Sequence, residues 1–266
     1  MSLSARLELH RSFSSDHLPD ARDVIVYLPP GYRRRGRTRY PVLYMHDGQN
    51  LFDPHTAYIP GHHWRVGETA DHLIDTGRIA PLVIVGVYNA GPRRIAEYSP
   101  TKDKRHGGGM ADAYGRLLVE DLKPYIDASY NTHREAAHTG LGGSSMGGLV
   151  TLHLGLRHAD VFSRLAAFSP SVWWDQRVIL RTVARYKGAA RPRVWLDMGT
   201  AEARYGLGDA RLLRNALARA GWAEGDTLAY SEHEGASHSE TAWAERVGPM
   251  LEFLFPTGRV GQGKAG

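Results

Sequence analysis

Two β-rich runs, 4–14 and 21–29, flank a polar turn at Ser15, Asp16 and His17, the pattern of an antiparallel strand pair at the start of a sheet. Beyond them the rhythm changes. Short apolar runs at 41–45, 82–87, 138–141, 165–168, 194–198 and 228–231 alternate with helix-like segments, which predicts a mostly parallel sheet with helices on both faces. The helices are placed by their stripes: 111–126 carries Tyr114, Leu117, Leu118, Leu122 and Ile126 at helical spacing, and 209–220 and 240–253 follow the same pattern. These residues are expected in the core. The segment 258–266 is glycine-rich without periodicity and is expected to fray, leaving 1–257 as a single α/β domain with no internal repeat.

Composition narrows the chemistry. At 266 residues and 42% hydrophobic content the chain can bury a full core, and with no cysteine it has neither disulfides nor a thiolate nucleophile or ligand. The net charge of +5 draws on Arg33, Arg34, Arg35, Arg37 and Arg39, which follow Pro29-Pro30-Gly31 and precede a strand. That setting reads as a solvated loop, so no nucleic-acid partner is expected. The N-terminal residues show no stretch of signal-peptide length and no run could span a membrane, so the default is a soluble cytoplasmic protein with no membrane partner.

The densest chemical signal is Gly140-Leu141-Gly142-Gly143-Ser144-Ser145-Met146-Gly147-Gly148, between an apparent strand and a helix carrying Leu149, Leu152 and Leu156. It spells G-x-S-x-G around Ser145, the form of a nucleophile elbow in which a sharp strand-to-helix turn exposes the hydroxyl. Glycine loops can also cradle phosphate at a helix N-terminus. Here the third glycine of a dinucleotide fingerprint is replaced by Ser145, and no lysine follows to make a P-loop.

A serine hydroxyl needs a base, and the base needs a carboxylate to orient it; on an elbow sheet they follow in the order serine, acid, histidine. His153 and His158 lie too far along the elbow helix to return to Ser145. His238, in the loop before the last helix, is the expected base; the alternative, His233, still belongs to the final strand run. Glu202, after the strand 194–198, is the expected acid, with Asp197 the rival within the strand and Asp209 explained by a helix N-cap. Oxyanion donors are expected from the backbone of Met146 and, in the loop after the strand 41–45, of Gln49, with Gly48 close behind. His46 and Asp47 precede the elbow and are given a structural role there.

Fourteen histidines raise the question of a metal. His133 and His138 stand five apart, off a common helical face, and His62 and His63 have no carboxylate at ligand spacing. Neither metal nor cofactor is expected.

Taken together, the segments 44–53, Asn89 with 94–100, 142–148 and 169–174 resemble the putative esterase family, the esterase D and enterochelin esterase-like branch of the α/β-hydrolases, over about 23–255. The resemblance implies an α/β-hydrolase fold, with Ser145 as nucleophile, Glu202 as acid, His238 as base and Gln49 and Met146 as oxyanion donors. It also implies that Asn89, Arg94 and Trp174 lie near the pocket. A salt bridge fixing their loop is the competing explanation for Arg94 and Glu97, as is packing beneath the site for Trp174. One departure stands out: the tryptophan common shortly after the histidine is displaced to Trp243. The expected activity is that of a serine carboxylesterase acting through an acyl-serine intermediate on a small-molecule ester. An acyltransferase with the same triad, and a non-catalytic binding protein on the same fold, are the alternatives.

Overall fold

The computed structural model describes residues 2–202 and 206–257. The fraying expected over 258–266 lies outside the described residues. The chain opens with an antiparallel hairpin, β1 (Leu7–Ser15) and β2 (Leu18–Tyr27), and continues through β3 (Val42–His46), helix α1 (Val66–Asp75) and β4 (Val83–Val87). A short helix α2 (Arg94–Glu97) and a two-residue ribbon, β5 (Lys102–Asp103) with β6 (Gly107–Gly108), lead into α3 (Ala111–Arg116) and α4 (Lys123–Ser129). Then follow β7 (Thr139–Ser144), α5 (Met146–Arg157), β8 (Arg164–Phe168), α6 (Trp174–Ala184), β9 (Arg193–Gly199), α7 (Gly206–Arg219), β10 (Leu228–His233), α8 (Glu240–Ala244) and α9 (Val247–Leu254).

Eight strands form one sheet in the order β1-β2-β4-β3-β7-β8-β9-β10, antiparallel between β1, β2 and β4 and parallel thereafter. This is the α/β-hydrolase architecture. Strands β3, β4 and β8 are buried along their whole length, as a sheet covered on both faces requires, whereas the edge strand β1 is largely open to solvent. Val42 and Tyr44 join one core with the helices α3 to α7; Leu43 and Met45 point the opposite way and pack with α1, α8 and α9. Among the described residues no helix is long and apolar enough to cross a membrane.

The strand order also places the site. From β3 the chain steps outward to β4, then returns to lay β7 against the other flank of β3. At such a switch point the loops leaving the two strands part and open a crevice at their carboxyl ends. The loop after β3 carries Asp47 to Asn50; the one after β7 carries Ser145.

Two helices expected as single runs are interrupted. Between α3 and α4 the segment Leu117–Leu122 is π-helical. Pro124 lacks an N–H and its ring would meet the Glu120 carbonyl four residues back, a conflict that a widened turn relieves. Pro249 has the same effect on the last run: it sits in the first turn of α9, and the chain breaks between α8 and α9.

Short α2 is anchored by charge. Arg22 on β2 reaches Glu97 at 2.6 and 3.1 Å with both side chains fully buried, and its guanidinium stacks over Tyr114. Thus Glu97 pairs with Arg22, and Arg94 one turn earlier is left to face the crevice. Removing one partner strands a buried charge. Glu97→Ala is expected to cost about 3–5 kcal/mol and lower Tm by roughly 6–20 °C in scanning calorimetry, while Arg22→Met with Glu97→Leu costs far less; equal losses in the two variants would refute this account of the pair.

Candidate active site

Ser145 stands between β7 and α5 at φ 58° and ψ −120°, a backbone region that non-glycine residues avoid. The turn can be this tight because Gly143 lies against the ring of His46, where a Cβ would come within 2.9 Å of it. Burial pushes His46 down to about 3, so it packs beneath the turn as a neutral ring, with Nδ1 2.9 Å from the Tyr114 hydroxyl. The Ser145 carbonyl accepts N–H bonds from Leu149 and Ser171.

Glu202 follows β9 and reaches His238, whose Nδ1 is 2.6 Å from Glu202 Oε2. A carboxylate can only accept, so Nδ1 carries the proton and Nε2 is left as a base. Glu202 Oε1 accepts from the Gly199 N–H at 2.8 Å and the Ser169 hydroxyl at 2.6 Å. Burial alone would raise the Glu202 pKa, but the bonds from His238, Ser169 and Gly199 outweigh it and hold the carboxylate below its ordinary range.

Asp197 is placed elsewhere. It is fully buried, takes Arg246 Nη1 at 2.8 Å, the Trp195 indole N–H at 2.7 Å and the Ser169 N–H at 3.1 Å, and makes no bond to His238. Burial pushes it up to about 6 against the pull of Arg246. His233 ends β10 with its ring 2.9 Å from the Ser231 hydroxyl and lines neither cavity at Ser145.

Two cavities meet at Ser145 and His238. One, of about 450 Å³, is walled by Met146, Pro170, Ser171, Trp173 and Met198; the other, of about 510 Å³, by Gln49, Asn89, Arg94, Tyr58, Ile59 and Trp243. Ser145 Oγ lies 3.3 Å from Ser171 Oγ and, in this structure, forms no hydrogen bond with His238 although both face the same space. The Met146 and Gln49 backbone N–H groups are unpaired with protein acceptors among the described residues. Gln49 belongs to a 3₁₀ turn, Gly48–Asn50, pressed so closely on β4 that a Cβ on Gly48 would collide with the backbone of Gly86 and Val87.

Asn89 and Arg94 line the second cavity but their polar atoms hold the Gln49 loop. Arg94 grips Asp47 at 2.7 and 2.8 Å, Asn89 Nδ2 donates to Asp47 at 2.7 Å, and the Asn89 N–H donates to Gln49 Oε1 at 3.3 Å. Asp47 itself has a left-handed φ of 56°, so these bonds fix the bend from which Gln49 emerges. Trp174 does not face either cavity. It is buried with its indole N–H on the Thr101 carbonyl at 3.0 Å, and the neighbouring Trp173, half-exposed, is the residue that lines the wall. Ser171 and Trp173 both fall in the segment 169–174, but neither shows by its type alone which way it points. Among the described residues no group of three or more candidate ligands could hold a metal.

Comparison with known proteins fits this arrangement. The model of the family described as Putative esterase matches residues 15–254. This chain belongs to that family. It is a hydrolase of ester bonds. The Bacillus subtilis protein YbbA, itself uncharacterized, is 26% identical over 92% of this chain and 97% of its own length. The ferri-bacillibactin esterase BesA of the same organism is 29% identical over 53% of this chain and 51% of its own length. In fold, the crystal structure of the BES protein from Bacillus cereus superposes with a TM-score of 0.74 over 96% of this chain and 97% of that one, at 21% identity.

A carboxylate whose folded pKa is depressed contributes stability that is complete above its unfolded value, about 4.3, and is lost as pH falls through the lower folded value. Glu202→Gln, which cannot titrate, is therefore expected to show a flatter fall of Tm than the wild type below about pH 4.5. Parallel curves in calorimetry would contradict the hydrogen-bonded, ionised Glu202.

Proposed function

We propose that this protein is a serine carboxylesterase, organised as one domain over 1–257, that hydrolyses a small-molecule ester through an acyl intermediate on Ser145. The carrying observation is the bond of His238 Nδ1 to the buried Glu202 at the mouth of the cavity that exposes Ser145. Ser145 Oγ turns from Ser171 toward His238 Nε2, loses its proton to it and attacks the ester carbonyl. The Met146 and Gln49 N–H groups, free of other acceptors, receive the oxyanion. His238 then protonates the leaving alcohol and takes a proton from water; the hydroxide attacks the acyl carbon, the bond to Ser145 Oγ breaks to release the acid, and His238 returns the proton to Ser145 Oγ.

Two cavities on either side of the nucleophile suit a substrate with a group on each side of the scissile bond. Asn89 and Arg94 act in this scheme chiefly by holding the loop of Gln49. Relatives named as feruloyl and siderophore esterases support a small-molecule ester as substrate.

Ser145→Ala is expected to lower kcat for a short p-nitrophenyl ester by a factor on the order of 10⁴ or more, with the thermal transition of the wild type retained. Turnover within a few-fold of the wild type would rule the mechanism out.

A further inference from the structure

Behind Glu202 lies a closed set of buried polar groups that the scheme above does not use. Ser169, which follows β8, is 1% exposed, and its hydroxyl oxygen has three neighbours at hydrogen-bonding distance: the Trp243 indole N–H at 3.0 Å, Arg246 Nη1 at 3.4 Å, and Glu202 Oε1 at 2.6 Å. A hydroxyl has one proton and two lone pairs. Indole and guanidinium can only donate and a carboxylate can only accept, so both lone pairs are taken and the single proton is committed to Glu202.

Resting on the reading of Glu202 and His238 as acid and base, we propose that Ser169 is a positioning residue for ester hydrolysis, its hydroxyl proton locked onto Glu202 by Trp243 and Arg246. Arg246 sits at the junction of α8 and α9, 1% exposed, and Asp197 is its counter-ion at 2.8 Å. Arg246 Nη2 approaches Glu202 Oε1 only to 3.7 Å, beyond hydrogen-bonding distance, so Oε1 accepts from Ser169 and Gly199 and Oε2 is left to His238. Asp197 thus holds the cation that orients the hydroxyl. Ser169 has a left-handed φ of 42°, which non-glycine residues seldom adopt, and its N–H bond to Asp197 secures it there.

Among the described residues, the charged and titratable groups around Glu202 are His238 before α8, Arg246, Asp197 on β9, and, across the cavity, Asp209 with its partner Arg177. His233 lies near Arg246, and burial with that cation lowers its pKa. Ser169 is the uncharged side-chain donor to Glu202, beside the backbone N–H of Gly199. Deleting it makes the carboxylate a stronger acceptor for imidazolium, so the base holds its proton to higher pH.

The test compares wild type, Ser169→Ala, Trp243→Phe and Glu202→Gln on a p-nitrophenyl ester across pH. Ser169→Ala is expected to lower kcat about tenfold with KM unchanged, and to move the acid limb of kcat/KM to higher pH. Trp243→Phe keeps the ring but deletes its N–H, and should shift the limb the same way by less; it carries the test if Ser169→Ala does not fold. A strongly impaired Glu202→Gln beside unmoved limbs in Ser169→Ala and Trp243→Phe overturns the positioning role alone. An unimpaired Glu202→Gln overturns the acid assignment on which it rests.

Discussion

The backbone of Ser145 is the constraint around which the molecule is arranged. A non-glycine residue held at φ 58° and ψ −120° costs on the order of 1–3 kcal/mol, and it persists only where the surroundings leave no alternative. Those surroundings are visible: β7 is clamped between β3 and β8, α5 starts immediately after the turn, and Ser171 bonds the Ser145 carbonyl from the next loop. Sheet burial on both faces supplies the rigidity. The neutral His46 ring under Gly143 fills the space that the turn leaves.

Two polar assemblies flank this turn and solve the same problem in different ways. On one side Arg22 and Glu97 fix α2, α2 presents Arg94, and Arg94 with Asn89 holds Asp47 in the bend that carries Gln49. On the other, Arg246 and Asp197 frame Ser169, which faces Glu202. In both, a buried ion pair is paid for in desolvation and returns a fixed geometry, the use for which such pairs are best suited. The apolar wall of Trp173, Met146 and Met198 lines the same cavity as Ser169 and Glu202.

The sheet was legible because strands buried on both faces are written as short continuous apolar runs, and the turn because G-x-S-x-G leaves a local imprint. Glu202 and His238 were legible as positions on loops after identifiable strands; their 2.6 Å bond brings together the two that chain order pointed to. Other features depend on contacts between residues far apart in sequence. Nothing local distinguishes Trp173 from Trp174, whose fates are decided by the left-handed residues Asp175 to Arg177 that follow and by the Thr101 carbonyl. Arg94 and Glu97 share a helix turn yet take different partners, Asp47 and Arg22. The Ser169, Trp243 and Arg246 set joins three separate elements. Its members look unremarkable one by one.

The central claim is that Ser145 is the attacking group and that His238 activates it. Labelling with a fluorophosphonate followed by peptide mass spectrometry tests this most directly. The account predicts a single adduct on Ser145 that is formed rapidly in the wild type and far more slowly in His238→Gln; an unmodified Ser145 in protein that still hydrolyses ester, or equal labelling rates in the two proteins, would contradict it.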